Sequence, residues 1–155
     1  MPKFLDIFSK SENAEVKKIK ILVDNREKQS LVPAELIGRG FQIEFQQLPV
    51  ADYIAGEVAV ERKTVADLKS SIISKRIFSQ LQELKQFPKH LLIVEGINDE
   101  DIYSGIIHEN ALRGFLLSAA LNFQTPIIFT RDSKDTAKYL SLLAKKPANK
   151  EISLR

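Results

Sequence analysis

Residues 52–67 read DYIAGEVAVERKTVAD, and this stretch decides the fold. Two apolar, β-prone runs, Tyr53–Ala55 and Val58–Val60, flank Gly56-Glu57, a Gly-X pair suited to a two-residue hairpin loop. That loop sets Ala55 opposite Val58, Ile54 opposite Ala59, Tyr53 opposite Val60 and Asp52 opposite Glu61. Opposed residues on one face have Cβ atoms about 4.5–5.5 Å apart. Strand alternation returns Lys63 to the face of Glu61 and sends Arg62 to the other face. Two carboxylates and a lysine therefore converge at one end of a hairpin. Adjacent carboxylates repel, and a shared proton or a cation relieves the repulsion. A hard cation such as Mg²⁺ (or Mn²⁺) takes carboxylate oxygens and keeps waters for a substrate phosphate. Read alone, the pattern more readily describes a solvated cross-strand charge pair beside a lysine, so the flanking sequence has to discriminate.

Upstream, Ile19–Val23 is a short β-branched run that predicts a buried strand ending at Asp24. Asp24 and Glu27, with Arg26 between them, follow that strand, where α/β proteins tend to place site residues. Pro33 opens a helix that Gly38 and Gly40 stop, and Phe41–Leu48 predicts a second strand. Downstream, Thr64 is the expected N-cap of a helix, with Asp67 as its capping acid. That helix runs to about Ile73 and resumes from about Ile77 to Phe87, before Pro88. Leu91–Val94 predicts another buried strand, residues 97–107 a loop with one helical turn, and Asn110–Phe123 a long apolar helix. Pro126–Thr130 predicts a strand and Ser133–Lys145 a final amphipathic helix. Residues 1–18 and 147–155 read as tails around a domain spanning 19–146. The element order predicts an α/β fold with a mixed central sheet and helices on both faces.

The 155 residues suit one domain, and 44% hydrophobic with 28% charged residues is a globular balance. There is no cysteine, which excludes a disulfide framework and thiol chemistry and suits an intracellular protein. No apolar run approaches the roughly 20 residues that a bilayer requires, so no membrane partner is expected. Net charge is +3, but the stretch Glu61–His90 holds seven basic residues (Arg62, Lys63, Lys69, Lys75, Arg76, Lys85, Lys89) against three acidic ones. Such a stretch can track a phosphate backbone, and a solvated helix face has the same composition.

The stretch VERKTVAD, Val60–Asp67, is similar to the ERK-x-x-x-D motif of the XPF-type structure-specific endonucleases, archaeal XPF- and Hef-like proteins included. Asp52-Tyr53 resembles that family's Gly-Asp element, and VDNRE, Val23–Glu27, its first-strand Val-Asp-x-Arg-Glu. The resemblance covers roughly Ile19–Lys145 and implies a restriction-endonuclease-like core. It implies a divalent-metal-dependent endodeoxyribonuclease that cuts flaps, forks or related branched DNA in repair and recombination. It also implies a catalytic group of Asp24, Glu27, Asp52, Glu61 and Lys63, with Asp52, Glu61 and Asp24 as metal ligands for Mg²⁺ or Mn²⁺. Arg26, Arg62, Arg76 and Gln80 become the expected DNA-facing residues, Arg62 being structural on the alternative view. Two departures stand out. Ala51 replaces the usual glycine before the aspartate, and the ten residues after Lys145 hold no counterpart of the tandem helix-hairpin-helix domain. A helix-hairpin-helix-bearing protein or a sliding clamp is then an expected partner. Leu5 and Phe8 at i, i+3 resemble part of a clamp-binding peptide, although the usual glutamine is absent and Ser9 takes the place of the second aromatic.

The helices 110–123 and 133–145 are both too apolar for fully solvated positions, so they predict either a homodimer built on them or mutual cover within one chain. Competing functional readings are a non-catalytic partner subunit, which the intact acids argue against, a junction resolvase of the same fold, and a recruiting module acting through the N-terminal tail.

Overall fold

The hairpin closes in the expected register. Strand β3 (Tyr53–Ala55) pairs antiparallel with β4 (Val58–Thr64) through Tyr53–Val60, Ile54–Ala59 and Ala55–Val58. Gly56 turns the chain at φ +61°, a conformation that glycine adopts without steric cost. β4 continues well past the hairpin because Ala59–Thr64 also pairs, in parallel, with β5 (His90–Glu95).

The computed structural model describes residues 17–96, 105 and 107–146. The expected tails, the Leu5/Phe8 segment and most of the expected loop at 97–107 lie outside the described residues. Within them, a six-stranded mixed sheet runs in the order β2-β1-β3-β4-β5-β6, with β1 Lys20–Asp24, β2 Gln42–Gln46 and β6 Ile127–Thr130. Five helices flank it: α1 Val32–Gly38, α2 Val65–Ile73, α3 Arg76–Leu84, α4 Glu109–Leu121 and α5 Ser133–Lys145. Thr64 caps α2 as expected, its hydroxyl accepting from the Asp67 N–H at 3.2 Å. Lys75 in the left-handed region (φ +63°) breaks α2 from α3. No described helix is long and apolar enough to cross a membrane.

Alternation along the strands divides the core in two. Ala59, Leu92 and Val94 pack with α2, α3 and the Leu112, Phe115 and Ala119 face of α4. Val60, Leu91 and Ile93 pack with α1 and the Ala137, Leu140 and Ala144 face of α5. The mutual-cover expectation for the two apolar helices is thereby corrected: α4 and α5 lie on opposite faces of the sheet. Both flank β6, the edge strand, and the side chains left outside are Leu117, Leu121, Phe129, Tyr139 and Leu142, with Leu121 73% exposed. Phe115 is a core residue.

Candidate active site

Three strand ends build the site. Asp24 ends β1, Asp52 precedes β3, and Glu61 and Lys63 share one face of β4. The backbones are pinned together, since the Asp24 N–H donates to the Asp52 carbonyl (2.8 Å) and the Asp52 N–H to the Val60 carbonyl (2.9 Å). The hairpin ladder then stops, and the Asp52 carboxylate takes over: its Oδ2 accepts from the Arg62 N–H at 2.9 Å. Ala51 enters this corner at φ +73°, a conformation that costs a side-chain-bearing residue about 1 kcal/mol or more. Glycine would be relaxed there, which explains why the motif this segment resembles carries one.

Asp52 and Lys63 are buried and Glu61 is nearly so, with Lys63 Nζ 3.8 Å from Glu61 Oε1. Burial first, then the charge of Asp52, pushes the Glu61 carboxyl up to about 8, against the pull of Lys63 and Arg26. Burial likewise raises Asp52, to about 6, with Glu27 adding to the rise and the Arg62 N–H opposing it. The pair therefore retains a proton near neutrality when no cation sits between its oxygens. Asp24 behaves differently. Burial would raise it, but bonds from Arg26 Nε (2.5 Å), the Leu48 N–H (2.9 Å) and the Arg26 N–H (3.0 Å) outweigh burial and hold it below its ordinary value. Arg26 is kept charged by that contact and leans outward, its side chain 69% exposed. A cleft of about 530 Å³, lined by Asp24, Asn25, Arg26, Gln47, Leu48 and Pro49, opens there.

Glu27 is elsewhere. It was expected in the acidic group, but a 3-10 turn at Asn25–Gln29 carries it to the Arg62 side of the hairpin, where it is buried. There Tyr53 donates to Glu27 Oε2 at 2.6 Å, and Arg62 Nη1 lies 3.3 Å from the same oxygen. Arg62 is likewise an internal residue, its side chain 13% exposed and bound bidentately to Glu95. Burial disfavours its charge, but Glu95 and Glu27 outweigh that and raise its pKa. The physical reason is strand alternation: Arg62 points away from Glu61 and Lys63 and needs buried counter-ions. Glu95, Tyr53 and Thr136 were not anticipated. Glu95 ends a buried parallel strand just as Asp24 does, so that signal was available; nothing in the sequence marks Thr136. Of the remaining expected residues, Arg76 is exposed at the first residue of α3, and Gln80, one turn on, is half-buried with its Oε1 unbonded.

Among the described residues no three acidic or histidine side chains form a ready-made metal cage. The Asp52–Glu61 pair supplies two carboxylates, the number with which Mg²⁺ is commonly held, the other positions being filled by water and substrate oxygens. The proton the pair keeps marks charge that a cation would neutralise, so the donor set fits such an ion.

Comparison with known proteins gives a consistent picture. The family model described as the ERCC4 domain matches residues 23–143. A putative ATP-dependent RNA helicase of Methanocaldococcus jannaschii is 48% identical over 136 residues, covering 87% of this chain and 16% of that protein. The 3'-flap repair endonuclease Xpf of Saccharolobus solfataricus is 42% identical over 132 residues, covering 83% of this chain and 55% of that protein. The chain thus spans about a sixth and about half of these two relatives. XPF from Aeropyrum pernix in complex with DNA superposes with a TM-score of 0.74 at 32% identity, over 86% of this chain and 68% of that one. Another structure of the same XPF gives 0.72 at 32% identity, over 81% and 63%.

Proposed function

The chain belongs to the ERCC4 domain family, the family of XPF nucleases, and we propose that it is a divalent-metal-dependent endonuclease cutting flap, fork or related branched DNA. One observation carries this reading: the buried Asp52 carboxylate and neighbouring Glu61, 3.8 Å from Lys63 Nζ, at the open end of a hairpin in a sheet similar to that of a DNA-bound XPF.

Asp52 and Glu61 would hold Mg²⁺ or Mn²⁺, with Asp24 completing the acidic rim. A bound ion of this kind supplies an activated water and polarises a phosphoryl oxygen. Lys63, held on the same strand face, places an ammonium where negative charge grows on the phosphoryl group. Asp24, kept ionised, fixes Arg26 at the mouth of the cleft, where its exposed guanidinium can take a backbone phosphate. Arg76 and Gln80 are proposed as further DNA contacts, Arg76 for phosphate. Glu27 and Arg62 act from the interior and touch no substrate.

The apolar fringe of β6 supports a homodimer, with α4 and α5 flanking the joint. A groove of about 590 Å³ lined by Leu116, Ala120, Pro126, Ile127 and Phe129 lies on that edge. A helix-hairpin-helix protein or a sliding clamp remains the proposed further partner. Incubating labelled flap, fork, junction and duplex DNAs with Mg²⁺ or Mn²⁺ tests the activity, with a chelator as control. Metal-dependent cutting of branched DNA in preference to duplex is the expected result; no cutting of any of them would remove the reading.

A further inference from the structure

Arg62 joins the two faces of β4. Its backbone N–H donates to Asp52 Oδ2, 2.9 Å away on one side, while its side chain leaves on the other. Because β3 begins at Tyr53, no strand carbonyl is available to Arg62, and the Asp52 carboxylate occupies the place the ladder would have filled. The direction of that carboxylate therefore depends on where the backbone at Arg62 sits.

That backbone is anchored through the guanidinium. Arg62 Nε lies 3.1 Å from Glu95 Oε1 and Nη2 2.5 Å from Glu95 Oε2, a fork-to-fork pair that fixes angle as well as distance. Glu95 is held in turn: the Thr136 hydroxyl donates to its Oε1 at 2.7 Å. Thr136 has spent its one hydrogen there, so Thr130, 2.7 Å away, donates to Thr136. The chain of bonds runs from β6 and α5 through β5 to β4 and ends on Asp52. Glu95, Thr130 and Thr136 are all buried, so no water replaces a lost link cheaply.

We propose that Glu95 and Thr136, both outside the hairpin motif, are positioning residues that hold the Asp52 carboxylate in its working direction through Arg62. The kinetic half of this rests on the nuclease reading above; the geometric half does not. A purely structural cluster would only fasten α5 to the sheet, and its loss would lower stability and activity together.

Thr136→Val removes the hydroxyl at constant shape, Thr136→Ser keeps it, and Glu95→Gln weakens the fork. Two readouts are needed: exchange of the Arg62 amide hydrogen by NMR, with the Leu92 amide as reference, and single-turnover cleavage of flap DNA with its binding constant and Tm. In Thr136→Val and Glu95→Gln, Arg62 exchange should quicken about tenfold relative to Leu92. Cleavage should slow by about tenfold or more with DNA affinity unchanged, at temperatures far enough below the lowered Tm that every variant stays folded, while Thr136→Ser behaves as wild type. Wild-type protection of Arg62 in both variants overturns the proposal. So does a rate loss that tracks Tm and that Thr136→Ser does not rescue. If Arg62 protection follows Thr136 but the wild type cuts no DNA, the positioning stands and the nuclease reading alone fails. Should Glu95→Gln not fold, the Thr136 pair decides.

Discussion

The Leu143 carbonyl closes over Gly56: a Cβ built there would lie 2.6 Å from that oxygen. The hairpin that carries the site is thus seated against the last turn and a half of α5, at a residue whose φ of +61° already disfavours side chains.

Gly56→Ala should therefore cost about 2–4 kcal/mol, part left-handed strain and part displacement of backbone. Urea unfolding measures this directly. An unchanged midpoint would mean that α5 does not press on the turn.

Ala51 offers the opposite experiment. Ala51→Gly relieves left-handed strain but gives up a buried methyl group and stiffness of the unfolded chain, so stability should stay within about 1 kcal/mol of wild type. Ala51→Val adds a β-branched side chain at φ +73° and should cost about 2 kcal/mol or more. Equal stability of the valine and glycine variants would contradict the strain assigned to this corner.

Much of this site was legible because hairpin geometry is local. Gly56-Glu57 fixes the loop, and the loop fixes the register of Tyr53–Ala55 on Val58–Val60. Asp52 and Glu61 lie just beyond the last pair, where the ladder stops. There Asp52 bonds to the Val60 carbonyl and the Arg62 N–H instead of pairing with Glu61. Glu27 was misplaced because a 3-10 turn advances about 120° per residue and no periodicity announces one after a strand. Arg62's orientation followed from alternation, but its partner Glu95, 33 residues away, required knowing that β5 pairs in parallel beside β4. The faces of α4 and α5 were hidden for a similar reason. An apolar stripe says that a helix is buried, not on which side of the sheet it lies.

The acidic pair makes stability depend on pH in a defined direction. Asp52 and Glu61 are raised in the folded protein, to about 6 and about 8, from ordinary values of 3.8 and 4.5. The folded state thus holds more protons between about pH 4 and 8, and without metal its stability is full below that window and declines as pH rises through it. Urea unfolding in chelator should show a loss of about 1–3 kcal/mol between pH 5 and 8.5, which Glu61→Gln reduces to the part below about pH 6 carried by Asp52 and which millimolar Mg²⁺ reverses. A stability that is flat or rises over this range would contradict the buried, repelling pair.

Association should depend on the fringe of β6. Leu117→Glu with Phe129→Lys places charges on two exposed apolar positions, 62% and 40% accessible, without entering the core. Sedimentation equilibrium at micromolar protein should show the wild type as a dimer and the double variant as a folded monomer. Phe115, being a core residue, is unsuitable for this test. A wild-type monomer would rule out the dimer.

Metal-assisted hydrolysis by Asp52 and Glu61 is the proposed chemistry of this site. It meets its most direct test in single-turnover cleavage of a labelled flap DNA by Asp52→Ala and Glu61→Ala at saturating enzyme with Mg²⁺. Both variants should bind the flap as the wild type does, because the basic surface is intact, and should leave it uncut above background. Metal-dependent cutting at the wild-type rate by either one would contradict the account.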